Sequence, residues 1–277
     1  MLSQKRTEPS GAPLELLAPF ERTAFRLMDL LFRRARPVTE LWLRTVGAAW
    51  MTLGSRRLVE AHGLERLSGL TSKDPILLVA NHRSFFDLYM LMLTLHRRTE
   101  LRQPVMCPVR ADYFYQNPVG VLVNLLIGGG RMFPPFFREP HKGEFNKWAL
   151  GRVADTLRRG GVMVGFHPEG TRNKGPDPYT PLPAQPGAGK LIMESWPIVV
   201  PAFIQGLSNN FLGDIRANFT GDRRAIAIFG TPIDLTEFRA MSNRLATHKR
   251  IADRLLETIY ALSHEERAVR KMRGTDG

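Results

Sequence analysis

"PILLVANHRSFFD", residues 75–87, joins an unbroken apolar run to a polar turn. The run predicts a strand over 76–80, buried on both faces. His82 then stands at the strand's C-terminal lip, where open α/β sheets place their ligands. Asp87 opens the next helical pattern and is expected to cap it. The five-position gap lets the turn fold back, so that the Asp87 carboxylate holds one ring nitrogen of His82. The other nitrogen is free to take a proton from a substrate hydroxyl. That is the base and orienter of a triad, with no serine or cysteine nucleophile beside them. An imidazole titrating near ~6.5 is a working base at neutral pH. By itself the pair equally fits a plain helix cap beside a loop histidine.

A second stretch repeats the plan. "FHPEGTRN", residues 166–173, directly follows the apolar "GVMVGF". Arg172 can grip a phosphate with two parallel hydrogen bonds. Gly170 lets the chain approach a ligand closely, Thr171 adds a hydroxyl, and Glu169 can fix the arginine or a substrate hydroxyl. His167 is either a second catalytic candidate or a strand-end packing residue.

Short apolar runs alternate with helical patterns through most of the chain. Strands are expected over 76–80, 105–109, 132–136, 162–166, 198–204 and 225–229. Helices are expected over 87–96, 117–126, 144–159, 188–195 and 244–262. Such alternation predicts an α/β fold with a largely parallel central sheet flanked by helices. The Pro- and Gly-rich stretch 173–187 is a loop. Before the α/β part, Leu17, Phe20, Ala24, Leu27, Met28 and Leu31 recur at helical spacing, and Pro37 closes that helix. A second helix through Leu41, Trp42, Val46, Trp50 and Leu53 completes an amphipathic two-helix hairpin with basic edges. The expected organisation is a loose end over 1–13, the hairpin over 14–60, the α/β domain over 61–262, and a charged, solvated tail over 263–277.

A chain of 277 residues supports one large domain, with or without a helical appendage. The net charge of +13 implies an anionic partner: nucleic acid, phospholipid or a phosphorylated small molecule. No zinc spacing, RNA-recognition aromatic block or long arginine run supports nucleic acid. His82, Asp87, His167 and Glu169 are metal-ligating types, yet no histidine pair lies at ligand spacing on one helix, so no metal is expected. Cys107 is the sole cysteine, which excludes an internal disulfide and suits a reducing compartment. No secretory signal is expected, and the most apolar window, "VGVLVNLLIGGG" (119–130), is about half the ~20 residues of a spanning helix.

"NHRSFFD" followed in order by "PEGTR" resembles the glycerolipid acyltransferase family, of which lysophosphatidic acid acyltransferase is the type. Its first block, NHxxxxD, is matched at Asn81, His82 and Asp87, and its third, EGTR, at 169–172. The resemblance covers about residues 60–235. It implies that His82 is the general base, that Asp87 orients it, and that Glu169, Gly170, Thr171 and Arg172 bind substrate. The second block must be "GGGRMFPPFFRE" (128–139), where Arg138 best matches the arginine that contacts the acceptor phosphate and Arg131 is the rival. The fourth resembles "PIVVPAF" (197–203), with Pro201 shaping the acyl-chain side. "VRADYFYQNPVGVLVN" (109–124) looks like the connecting segment: a basic residue, a short helix and a Pro-containing turn.

The implied reaction moves a fatty acyl group from acyl-CoA or an acyl-carrier protein to a lysophospholipid hydroxyl. Lysophosphatidic acid is the family default, and glycerol-3-phosphate or another lysolipid uses the same blocks. No cofactor is implied beyond the thioester co-substrate. The implied location is the cytoplasmic face of the membrane, peripheral or monotopic. Trp42, Trp50 and flanking arginines suit the hairpin to an anionic phospholipid surface, while its other face can pack on the α/β domain.

Overall fold

A computed structural model describes residues 11–274, apart from the side chains at 36, 44, 48, 50, 51, 54 and 211. Most of the expected loose end, and the Trp50 side chain, therefore lie outside the described residues.

Helices α1 (Pro19–Arg33), α2 (Arg36–Trp42) and α3 (Ala48–Ser55) come first, with a π-type turn (Leu43–Gly47) joining the last two. There follow β1 (Val59–His62), β2 (Pro75–Ala80), α4 (Asp87–Arg98), β3 (Val105–Met106), β4 (Val109–Arg110), α5 (Ala111–Phe114), α6 (Pro118–Leu126) and β5 (Pro135–Phe136). The chain continues through α7 (Gly143–Arg158), β6 (Val162–Phe166), α8 (Pro186–Ser195), β7 (Ile198–Gln205), α9 (Phe211–Thr220), β8 (Ala225–Phe229) and α10 (Leu245–Met272).

Among the described residues the main sheet has the order β1-β8-β7-β2-β6-β3, parallel except between β7 and β8. The fold is therefore α/β with a mostly parallel sheet between helices. Its centre is β2, whose Ile76–Ala80 side chains are wholly buried, as an apolar run inside a covered parallel sheet requires. Alternation along β2 splits the core. Leu77 and Val79 face the layer holding α1, α7, α8 and α10, while Ile76 and Leu78 face α4. Val79 pairs with Phe166, so the turns after β2 and β6 leave the sheet side by side. That register builds the site.

Several elements differ from expectation. The expected strands over 105–109 and 132–136 shrink to the two-residue β3, β4 and β5. Pro104, Pro108, Pro134 and Pro135 supply no backbone donor for a longer ladder. Strand β1 was not foreseen: "VEAH" is short and half polar, and is held by pairing to β8. Pro37 opens α2 in its first turn, where a missing donor costs nothing. The last helix runs on to Met272, ten residues past the expected 262; beyond Ser263 it is largely exposed, as expected of a solvated end, apart from the fully buried Glu266. In α1 the buried residues are Glu21, Ala24, Phe25 and Met28, with Leu17 buried just before it, whereas Phe20 and Leu27, expected on that face, are exposed. Phe25 packs on Phe133, Phe145 and Trp148, and buried Glu21 accepts two bonds from Lys142 at 2.7 and 2.9 Å. Helix α1 is thereby tied to the α/β body.

Candidate active site

Two turns at the C-terminal edge of β2 and β6 are stitched together through their backbones. Asn81, wholly buried, bonds both ways to the backbone of Ile204 at 2.9 and 2.8 Å and so clamps the end of β2 to β7. The next residue is thereby fixed in place. The His82 N–H donates to Glu169 Oε2 at 3.0 Å, and the His82 carbonyl accepts from Asn173 N–H at 2.7 Å. Arg83 reaches across to the Gly175 carbonyl at 2.9 Å. Glu169 is 1% exposed; its other oxygen accepts from the Leu182 N–H at 2.9 Å and the Tyr260 hydroxyl at 3.0 Å. The contact expected between Glu169 and the arginine or a substrate hydroxyl is thus replaced by one to the His82 backbone. Gly170 sits at φ +66°, where a Cβ would also meet Gln185 at 2.9 Å, so this turn needs its glycine.

Asp87 lies at the first residue of α4, but its carboxylate does not cap that helix. Instead Oδ2 accepts from the backbone N–H groups of Arg83 and Ser84, at 2.7 Å each, and faces His82 Nδ1 at 3.4 Å. The fold-back anticipated for the five-residue gap is present, with the backbone of the turn as additional ligand. The His167 ring stacks on His82, centroids 3.7 Å apart and planes 8° from parallel, and its Nδ1 meets the Ala80 carbonyl at 3.0 Å.

Burial pulls both imidazoles down to about 3, assisted at His82 by the Arg172 and Arg110 guanidinium charges and at His167 by His82. Both shifts favour neutral rings at pH 7. Burial pushes Asp87 up to about 7 and also raises Glu169. Donor atoms of His82, Asp87 and His167 lie within 4.8 Å of one another. Parallel stacked imidazoles do not converge their in-plane lone pairs, so the two rings are poorly disposed to share a metal ion.

His82 and His167 line an elongated cavity of about 370 Å³. Leu88, Tyr89, Met92, Leu93 and His96 form one wall, a run of ~12 Å along α4 at helical rise. Arg172 and Arg110 both line it near His82, and neither Arg138, Thr171 nor Pro201 does so. Arg138 is exposed and lies outside the cavity lining. Arg131, its rival, is buried, lines the cavity and pairs with Glu40 at 3.3 Å. Thr171 is half-buried beside Arg172. Pro201 packs toward Gly230 on the α10 side of the sheet, away from α4 and this cavity. Arg172 stacks over Phe85 at 3.7 Å and bonds Asn209 at 2.8 Å. Phe85 meets Tyr113 edge-on at 4.9 Å, and Arg110 lies over Tyr113 at 5.3 Å. Two cations and two rings thus span the site's opening. Sequence reading missed Tyr260 and Asn209; only Arg110 had a signal, as the basic residue of the connecting segment.

The family described as Acyltransferase matches residues 58–205, more than half of the chain and both turns. This chain belongs to the acyltransferase family. It is 29% identical over 140 residues to the human dihydroxyacetone phosphate acyltransferase. That alignment covers 50% of this chain and 19% of the relative's length. Within the acyltransferase fold, the His82 and Arg172 turns are the ones that resemble the glycerolipid members.

Proposed function

We propose that this acyltransferase moves a fatty acyl group from an acyl thioester, acyl-CoA or acyl-carrier protein, to the hydroxyl of a phosphate-bearing glycerolipid acceptor, in the first place lysophosphatidic acid. The observation that carries the reading is His82, neutral and lodged between a buried carboxylate and the arginine-lined end of an apolar cavity. With its proton on Nδ1 toward Asp87, the ring offers Nε2 to the acceptor O–H. The oxygen attacks the thioester carbonyl as Nε2 takes its proton. The C–S bond then breaks, and the proton returns to the departing thiolate. No protein nucleophile is needed. Arg172, with Arg110 in place of Arg138, holds the acceptor phosphate; the apolar wall along α4 takes the acyl chain. An anionic phosphate there offsets the two charges that depress His82, so acceptor binding makes the base stronger.

The human relative's name favours keeping a second acceptor class in view, the small phosphorylated three-carbon alcohols. An acceptor panel with one labelled acyl thioester, purified protein and vesicles decides. Lysophosphatidic acid should give the highest kcat/KM. Preference for glycerol-3-phosphate or dihydroxyacetone phosphate would move the assignment to the second class, and transfer to unphosphorylated acceptors alone would end it.

A further inference from the structure

Helix α6 is exposed yet has no polar face. Val119, Leu122 and Leu126, spaced along one side of it, are 67, 53 and 50% exposed. From residue 113 to residue 130 the chain carries no charged side chain at all. A surface helix normally turns charged residues to water, so this one is built for another medium. No helix among the described residues is long and apolar enough to cross a membrane, and α6 is among the short ones.

The helix is also fixed in place. The Trp42 indole N–H donates to the Leu126 carbonyl at 2.9 Å, clipping α2 to the end of α6. Val38 and Leu41 on α2 are themselves exposed, which continues the apolar surface across the clip. Cations bracket the strip. Arg33 and Arg34 precede α2, and exposed Arg56 and Arg57 follow α3. Arg97 at the end of α4 is lowered by burial and by the nearby charges of Arg98 and Arg56, a crowding of cations that an anionic layer would relieve. The cavity reaches both ends of this helix: Tyr113 and Phe114 precede α6, Gly128 follows it, and all three line the cavity.

We propose that α6 is a membrane-seating helix, lying in the headgroup layer of an anionic bilayer together with the apolar side of α2, so that the cavity opens at the lipid surface. The choice of a lipid partner rests on the acyltransferase reading; the surface itself does not. Seating would let a lysolipid enter the site sideways, without leaving the bilayer.

Cys107, the sole native cysteine, lines the cavity and is replaced by alanine for the test. A Leu122→Cys protein can therefore be labelled at α6 alone with an environment-sensitive fluorophore. Phosphatidylcholine vesicles containing phosphatidylglycerol should shift its emission to the blue, and pure phosphatidylcholine should do so less. In sedimentation with the same vesicles, Leu122→Glu/Leu126→Glu should lose about tenfold or more in partitioning while melting like wild type. An unshifted fluorophore, or a double variant that sediments undiminished, would overturn the proposal. So would a wild-type dimer in solution that the double variant dissolves, since the strip would then be a protein interface. Binding is read without thioester, so loss of the acyl-transfer reading and loss of this one remain separate results.

Discussion

The floor of the site and its rim are built by opposite rules. On the floor, Asn81, Asp87 and Glu169 are buried to within 1% of completely, and each is hydrogen-bonded to backbone. At the rim, Phe85 and Tyr113 are each 40% exposed, and the arginines beside them are held by ring faces and partly exposed acceptors. A polar group without water must have its partners supplied by the fold, which makes the floor rigid. Rim groups keep their water until a ligand displaces it. The floor thus places the base, and the rim selects what the base acts upon.

The strongest way to break that division is to remove the base. His82→Ala should lower kcat by about 10²–10⁴ and leave the melting transition close to wild type. Steady-state rates on the purified variant read the first, calorimetry the second. A variant that turns over near the wild-type rate would remove His82 from the chemistry.

Next in size is the rim. Arg172→Ala should raise the acceptor KM by roughly 10- to 100-fold, the worth of a charge-assisted bond, with the donor KM nearly unchanged. The opposite split, donor affected and acceptor spared, would place the thioester's phosphates at the arginines.

Glu169 sharpens the contrast, because its motif suggests the rim and its burial the floor. In Glu169→Gln one carboxylate acceptor becomes an N–H₂ facing donors, either the His82 N–H or the Leu182 N–H and the Tyr260 hydroxyl. The expected cost is about 1–3 kcal/mol of stability, with kcat falling and acceptor KM unmoved. A rise in KM at unchanged stability would return Glu169 to substrate binding.

How much of this was legible beforehand follows from the range of the interactions. The β2 run, the His82–Asp87 fold-back and the α/β alternation are local patterns, and local patterns can be read from spacing. Glu169 bonding His82 spans 87 positions, and Tyr260 bonding Glu169 spans 91. No periodicity in α10 distinguishes Tyr260 from any other core residue of an amphipathic helix. The second block misled for a related reason. Its arginines look alike in a string, while in the fold Arg138 is exposed away from the cavity, Arg131 lines its wall beside Glu40, and Arg110 of a different segment lines it too. The α6 window was visibly apolar, but only the fold shows which of its residues face outward.

The smallest effect tests whether the floor holds its groups neutral. Asp87 keeps its proton to about 7 in the folded protein, against ~3.9 for a free carboxyl group, so its contribution to stability weakens as pH rises through that window. His82 and His167, both pulled down to about 3, act in the other direction: unfolded imidazoles protonate near ~6.5, and their contribution weakens as pH falls below that value. Between about pH 4 and 6.5 the unfolded chain therefore gains two protons from these groups, where the folded one keeps one. Their net contribution is stability that rises with pH. Replacing one ring, in His82→Asn, leaves one proton against one and should flatten that part of the slope in chemical denaturation curves across the window. If the slope is the same in both proteins, His82 is not held neutral, and its stacking on His167 must be shared by a charged ring.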